Sequence, residues 1–467
     1  MKVWTLYPFT VFFLLQFLPI FAQSQQDHAI ADSLFTVGKN LLALGDKEGA
    51  TSAFNKALAK NKTLLNARIE LGKMAIAEEK WSKAGQQFDA ILELDPENLA
   101  AHYYRAICHR EYGKFRQLLA RVLDWPKAEK HFKQVMARDS LYQDILYQFG
   151  LLQRYRGKYI EAINLCYDQI RLRPELLQPK ISMYQFYRYF IRHKNDKEVL
   201  VWLKAQSWDQ AQYFIGESLR RVGKLSEGDS VFQALLTAEP SMSKQPIFLS
   251  LVRIHYKQGN RPLAEKYFWL AVDSIHTQLD AELVFEDIKY IVTDEELNTF
   301  RALKDNAAKI KFFHTFWTRR DPTPAATVNV RLAEHYRRLN YVEEYYEYDG
   351  FRTYFNSSDP LNYFQFPQSY ALNHEFDDRG LVYLRHGPPD DQIVTVGISS
   401  GPAPSNESWK YWQRDEEPEL TFHFLKPADV WRLSPTLPAN PEIYTDRFHW
   451  NSIYYRYMNA LSSGERY

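Results

Sequence analysis

The residues with chemistry to offer gather late in the chain. Arg319, Arg320 and Asp321 stand together in "FFHTFWTRRDPTP" (312–324), and Asp377, Asp378, Arg379, Gly380, His386, Asp390 and Asp391 follow in "DDRGLVYLRHGPPDD" (377–391). Acid–base hydrolysis needs two carboxylates on opposite sides of a bond, or a carboxylate that orients a histidine. Proximity along the chain does not supply that geometry. There is no nucleophile elbow, paired-histidine metal motif or phosphate loop, and the spacing of His374, Glu375 and Asp378 matches no recurrent ligand pattern. The favoured reading is structural. Arg319 or Arg320 pairs with Asp378 or Asp390, across a junction made of "RRDPTP", "DDRG" and the turn Gly387–Pro388–Pro389–Asp390. No catalytic residue, cofactor or metal ligand is assigned.

The elements that must position these residues can be read around them. Thr293 and Glu296 have capping-box spacing and start a helix that runs through Ile310, Phe313, Phe316 and Trp317, one apolar stripe, until Pro322 ends it. From Ala325 a second helix carries Leu332, Tyr336 and Leu339 on one face. "GLVYLRHG" alternates between glycines, which predicts a short strand closed by the "GPPD" turn. "ESWKYWQ" and "ELTFHFL" predict further strands, and "SSGPAPSN" a loop. The sequence therefore predicts a small α+β domain at the C-terminal end.

Upstream, the chain repeats itself. Gly38, Ala50, Phe54 and Ala57 recur as Gly72, Ala84, Phe88 and Ile91, displaced by 34 residues. Gly150, Ala162 and Cys166 keep the spacing, as do Gly216, Gly228 and Phe232, and Val252, Ala264 and Phe268. Gly45, Gly113, Gly157, Gly223 and Gly259 are expected in turns between helices, and Pro96, Pro174 and Pro240 between units. The pattern resembles the tetratricopeptide repeat, in which small residues let two antiparallel helices cross closely and a large apolar residue fills the gap. The third unit, Ala106 to Ala128 and Phe132, runs ten residues long near "FRQLLARVLD", and 177–208 reads as a degenerate fifth unit. Cys166 takes the position of the repeat phenylalanines. It and Cys108 read as free structural thiols, neither bridged nor nucleophilic.

The C-terminal elements resemble the GWxTD domain of bacterial exported proteins, often joined to tetratricopeptide repeats and of unestablished biochemical role. The resemblance rests on "FWTRRDPTP", Asn329, "EHYRRLNY", "DDRGLVYLRHGPPD" and "WKYW", over roughly 295–430. Asp378, Arg379 and Gly380 match the naming signature. "HEFDD" (374–378) lacks its tryptophan, with His374, Glu375 and Asp377 in the other places, so no role of that tryptophan is carried over.

The expected organisation is mostly α. It comprises a signal peptide (1–24), a repeat array of about seven units forming an α-solenoid (27–280), a connecting helical segment (281–308), the GWxTD-like domain (309–430) and a partly irregular tail (431–467). The apolar run "VWTLYPFTVFFLLQFLPIFA" after Lys2, with Ala22 and Ser24 beyond it, reads as a cleaved export signal rather than a membrane anchor. The mature chain is then expected in the periplasm, at the outer membrane or secreted, with no stable membrane span. A net charge of +1 provides no field for nucleic acid. These features predict an exported, non-enzymatic scaffolding protein of the bacterial envelope that binds a protein or peptide on the solenoid surface. Two alternatives stand beside it. One is an exported hydrolase whose repeats recruit substrate. The other is a carbohydrate binder using the aromatics of "YEYDGFRTYFNSSDPLNYFQF".

Overall fold

A computed structural model describes residues 8–115, 118–193, 196–348, 368–396, 404–414, 419–426, 430–434 and 450. Residues 1–7, most of "YEYDGFRTYFNSSDPLNYFQF", part of "SSGPAPSN" and nearly all of the expected tail lie outside them. The architecture is a tetratricopeptide-like helical solenoid with a small C-terminal sheet. The chain divides into two compact units, 1–176 and 177–467. Among the described residues, no helix is long and apolar enough to cross a membrane.

The first unit holds four helix pairs: α1 (Pro8–Ala43) with α2 (Lys47–Lys60), α3 (Leu65–Ala77) with α4 (Trp81–Leu92), α5 (Leu99–Phe115) with α6 (Leu118–Arg138), and α7 (Ile145–Tyr155) with α8 (Tyr159–Leu172). The repeat signature has a steric cause. A Cβ on Gly38 would stand 2.5 Å from the ring of Phe54, and one on Gly72 would stand 2.4 Å from the ring of Phe88. The glycine of one helix is the socket for the phenylalanine of the next. Gly45 and Gly157 make the turns with φ of 84° and 74°, where a side chain would be strained. Gly113 does not; it lies inside α5, against the Trp125 indole. The ten extra residues of this unit lengthen α5 and α6 to 17 and 21 residues. Cys108 and Cys166 are buried and unbridged, and burial pushes the Cys108 thiol up to about 12.

The second unit continues with α9 (Leu177–His193) and α10 (Asp196–Lys204), α11 (Asp209–Arg221) and α12 (Leu225–Thr237), and α13 (Gln245–Lys257) and α14 (Arg261–Asp273). Gly216 again receives a phenylalanine, Phe232, at 2.5 Å from its would-be Cβ. Then come α15 (Gln278–Ile288), α16 (Asp294–Ala302), α17 (Asn306–Arg320), α18 (Val330–Tyr345), α19 (Gln368–Leu372) and α20 (Asp378–His386). An antiparallel sheet of order β1-β2-β3-β4 completes the unit: β1 (Asp391–Thr395), β2 (Ser405–Tyr411), β3 (Leu420–Lys426) and β4 (Arg432–Ser434). Trp409 pairs with Phe422 across β2 and β3. One apolar cluster runs from Val252 and Phe268 through Phe313, Trp317, Leu332 and Tyr336 to Trp409, Phe422 and Phe424. It spans the positions at which the sequence suggests a division.

Three expectations are corrected here. The helix begun by the Thr293–Glu296 capping box stops at Ala302, and Asp305 caps a new one by accepting from the Ala308 amide. The next helix starts at Val330 rather than Ala325, because the Asn329 side chain accepts from the Leu332 amide. "GLVYLRHG" is helix α20, not a strand. Asp377 accepts from the amides of Arg379 and Gly380 at its start, and Gly387 ends it at φ 77°. Leu381 through His386 are all buried, polar and apolar residues alike, and at nine residues the helix is short enough for its apolar positions to be read as strand alternation.

Candidate functional site

The predicted junction residues do meet partners, but not those expected. Arg320 pairs with Glu296 of α16 (2.8 Å) and lies 3.7 Å over the Phe316 ring. Arg319 is exposed at the end of α17, and Asp321 accepts from the Thr323 amide (3.1 Å). Asp378 is buried and takes the Tyr370 hydroxyl (2.8 Å) and the Leu433 amide (2.8 Å). Arg379 pairs with Asp377 (2.7 Å) and Glu407 (3.0 Å) and stacks between Tyr346 and Trp431. Gly380 lets α20 cross α18 closely. The Gly387 carbonyl accepts from Tyr411, Pro388 is exposed with Pro389 half-buried, and Asp390 holds the Trp412 amide (2.8 Å) and Arg414. The "DDRG" and "GPPD" segments therefore bind α20 to the sheet, while "RRDPTP" belongs to the α16–α17 corner.

The charged site lies elsewhere in the second unit, where α9, α11, α13 and α15 face α18 and the 373–377 loop. Arg220 on α11 gives Nε and Nη2 to Glu217 (both 2.9 Å) and Nη1 to Glu343 of α18 (3.0 Å). Arg253 on α13 gives Nε to the other oxygen of Glu343 (3.1 Å) and its two terminal nitrogens to Asp287 of α15 (2.8 and 2.7 Å). Tyr336 donates to Asp287 (2.9 Å), and Ser250 to Glu217 (2.7 Å). Glu343 thus bridges two successive helix pairs of the array.

Glu347, two residues beyond α18, is held by three arginines: Arg221 through both terminal nitrogens (2.9 and 3.1 Å), Arg188 through Nε (2.7 Å) and Arg192 (3.3 Å). Deeper in, the Lys289 ammonium donates to Glu286 (2.8 Å) and Glu375 (3.0 Å), and Tyr290 donates to the second Glu375 oxygen (2.9 Å). Burial opposes ionisation of every one of these carboxyls, and the cations decide the outcome. Arg221, Arg188 and Arg192 hold Glu347 at about 2, and Lys289 with Arg188 holds Glu375 at about 2. At Glu286 burial prevails over Lys289, and its carboxyl is raised.

Beside these groups lies a half-open cavity of about 120 Å³ lined by Tyr184, Arg188, Tyr213, Phe214, Glu286 and Glu375, among others. The lining carboxylates are paired with cations, and Glu217, Asp287 and Glu375 also accept from the hydroxyls of Ser250, Tyr336 and Tyr290. Among the described residues, no group of three His, Cys, Asp or Glu side chains is placed to hold a metal ion.

Sequence reasoning found none of Arg188, Arg220, Arg221, Arg253, Lys289, Glu343 or Glu347. A signal was present: Glu217, Arg220 and Arg221 fall on one helical face, and Glu343 and Glu347 are one turn apart. It did not show that the two faces meet.

No family model and no curated protein matches this chain. Among solved structures, it is similar to a tetratricopeptide repeat protein from Parabacteroides merdae (15% identity over 55% of this chain and 98% of that one, TM-score 0.30). Pseudomonas aeruginosa pilF is similar at 16% identity, over 55% and 96%, TM-score 0.31. MamA is similar at 19% identity, over 45% and 92%, TM-score 0.28. Likenesses of this size show neither family nor activity.

Proposed function

We propose that the chain is an exported, non-enzymatic scaffolding protein of the bacterial cell envelope whose repeat helices take a protein or peptide partner. One observation carries the reading: Glu343 accepts from Arg220 and Arg253, which stand on different helix pairs. The array thereby grips a separate helix through charge-assisted bonds, the chemistry by which it would grip a partner. The uncharged apolar run after Lys2 supports export.

The test is affinity capture from an envelope extract with the mature full chain as bait, followed by reconstitution with the purified partner. A protein that rebinds with a measurable Kd bears the proposal out. Turnover of an ester, peptide or glycoside by the chain alone, without such a partner, replaces it with the hydrolase reading. Export is checked by N-terminal sequencing of the processed protein, which should begin near residues 23–25.

A further inference from the structure

We propose that the cavity between α9, α11, α13, α15 and the Glu375 loop binds a small zwitterion, a molecule of free amino acid size bearing one carboxylate and one ammonium group. Charged groups of both signs meet at its walls, and two clusters of them are unequal in charge. At one, the three guanidiniums of Arg188, Arg192 and Arg221 surround the single carboxylate of Glu347. At the other, the carboxyls of Glu286 and Glu375 share the single ammonium of Lys289. From these clusters Arg188, Arg221, Glu286 and Glu375 line the cavity, beside the mutually paired Arg253, Asp287 and Glu343.

The donors for a carboxylate are in place. Arg188 donates Nε to Glu347, but its Nη2 is buried and donates to no group among the described residues. An orphaned guanidinium N–H inside a cavity carries a desolvation cost that an incoming carboxylate would remove. Tyr184, one turn before Arg188 on α9, lines the same space. In the Lys289 cluster, Glu286 keeps about a third of its side chain open (34%), where it can accept from an ammonium. A cation arriving there would also offset the burial that raises this carboxyl.

The remaining wall is aromatic. Tyr184 meets the Tyr213 ring edge-on at 5.8 Å and Phe214 at 6.0 Å, giving an apolar surface for a side chain or carbon skeleton. The volume, about 120 Å³, is close to that of an engineered cavity that admits benzene. A purely anionic ligand would face Glu286, Glu217 and Glu375, and a purely cationic one would leave Arg188 unsatisfied. A zwitterion meets groups of both signs.

The test uses the mature full chain and the twenty L-amino acids singly at about 10 mM in a thermal-shift assay. Calorimetry then compares each binder with its deaminated and its decarboxylated analogue. At least one amino acid should raise the melting temperature, and both analogues should bind about tenfold or more weakly. Arg188→Gln should weaken binding about tenfold. Because that variant also loosens the Glu347 clamp, Tyr184→Phe serves as the second. It should weaken binding about fivefold at unchanged melting temperature. Absence of any shift, an analogue that binds as tightly as the amino acid, or full affinity in Tyr184→Phe and any folded Arg188→Gln would overturn the proposal.

Discussion

A Cβ placed on Gly380 would stand 2.9 Å from Cγ1 of Val342 and 2.8 Å from Cβ of Phe376. The glycine of the "DDRG" segment is therefore the crossing point of α20 over α18, two buried helices that cannot separate without opening the apolar cluster around Trp409. Gly380→Ala should destabilise the second unit by about 1–3 kcal/mol, because the obstructing atoms belong to a Cβ and a branched side chain held in the core. Urea denaturation followed by far-UV circular dichroism measures this. Unchanged stability would mean that the helices do not cross there.

Glu343 holds Arg220 and Arg253 at once, and all three side chains are almost wholly buried. Glu343→Ala would leave two buried guanidiniums short of an anion, an expected loss of about 3–5 kcal/mol. The Glu343→Ala and Arg253→Ala changes should couple by about 0.5–3 kcal/mol in a double-mutant cycle. Strict additivity would contradict the contact.

Arg320 and Asp378 meet different partners among the described residues: one is paired with Glu296, the other with Tyr370 and the Leu433 amide. Arg320→Ala should cost about 1 kcal/mol for a partly exposed pair and its ring contact. Asp378→Ala should cost about 1–3 kcal/mol, since it orphans a buried amide and hydroxyl. Melting of the double variant should match the sum within about 0.5 kcal/mol. A large shortfall would restore the direct pairing that the sequence suggested.

The first unit should weaken in acid. Burial is the largest cause lowering both His109, to about 4, and His131, to about 3; Arg105 adds to both, Lys127 to His109, and His102 and His109 to His131, against Asp89. His131 Nδ1 lies 2.8 Å from His102 Nδ1, while His109 Nδ1 is 3.2 Å from Asp124. In the unfolded chain these rings take up protons near pH 6.5, which the folded unit refuses. Stability is then full above about pH 6.5 and falls as pH drops through that value toward 4. Between pH 7 and 5 the loss should be about 1–2 kcal/mol per histidine, and His109→Gln/His131→Gln should flatten it. An equal slope in that variant would assign the acid sensitivity to other groups.

The repeat array was legible in the sequence because its contacts are local. Gly72 and Phe88 lie on consecutive helices, and the same sterics recur at Gly38 with Phe54 and Gly216 with Phe232, so one packing solution is written as a period. Strands β2 and β3 were legible in "ESWKYWQ" and "ELTFHFL", and the capping box at Thr293 from its two side chains. Helix α20 was not. It is only nine residues long and buries polar Arg385 and His386 along with its apolar residues, so Asp377 and Gly387 were the clearest marks of its ends. Least legible was the charged site. Arg220 and Glu343 are 123 residues apart, and each alone reads as part of a solvated helical face. Local sterics and hydrogen bonding are encoded by neighbours and can be read in order along the chain. The pairing of buried charges depends on which faces the fold brings together, so only the tertiary structure decided that Arg188, Arg221 and Arg253 would line a cavity instead of facing water.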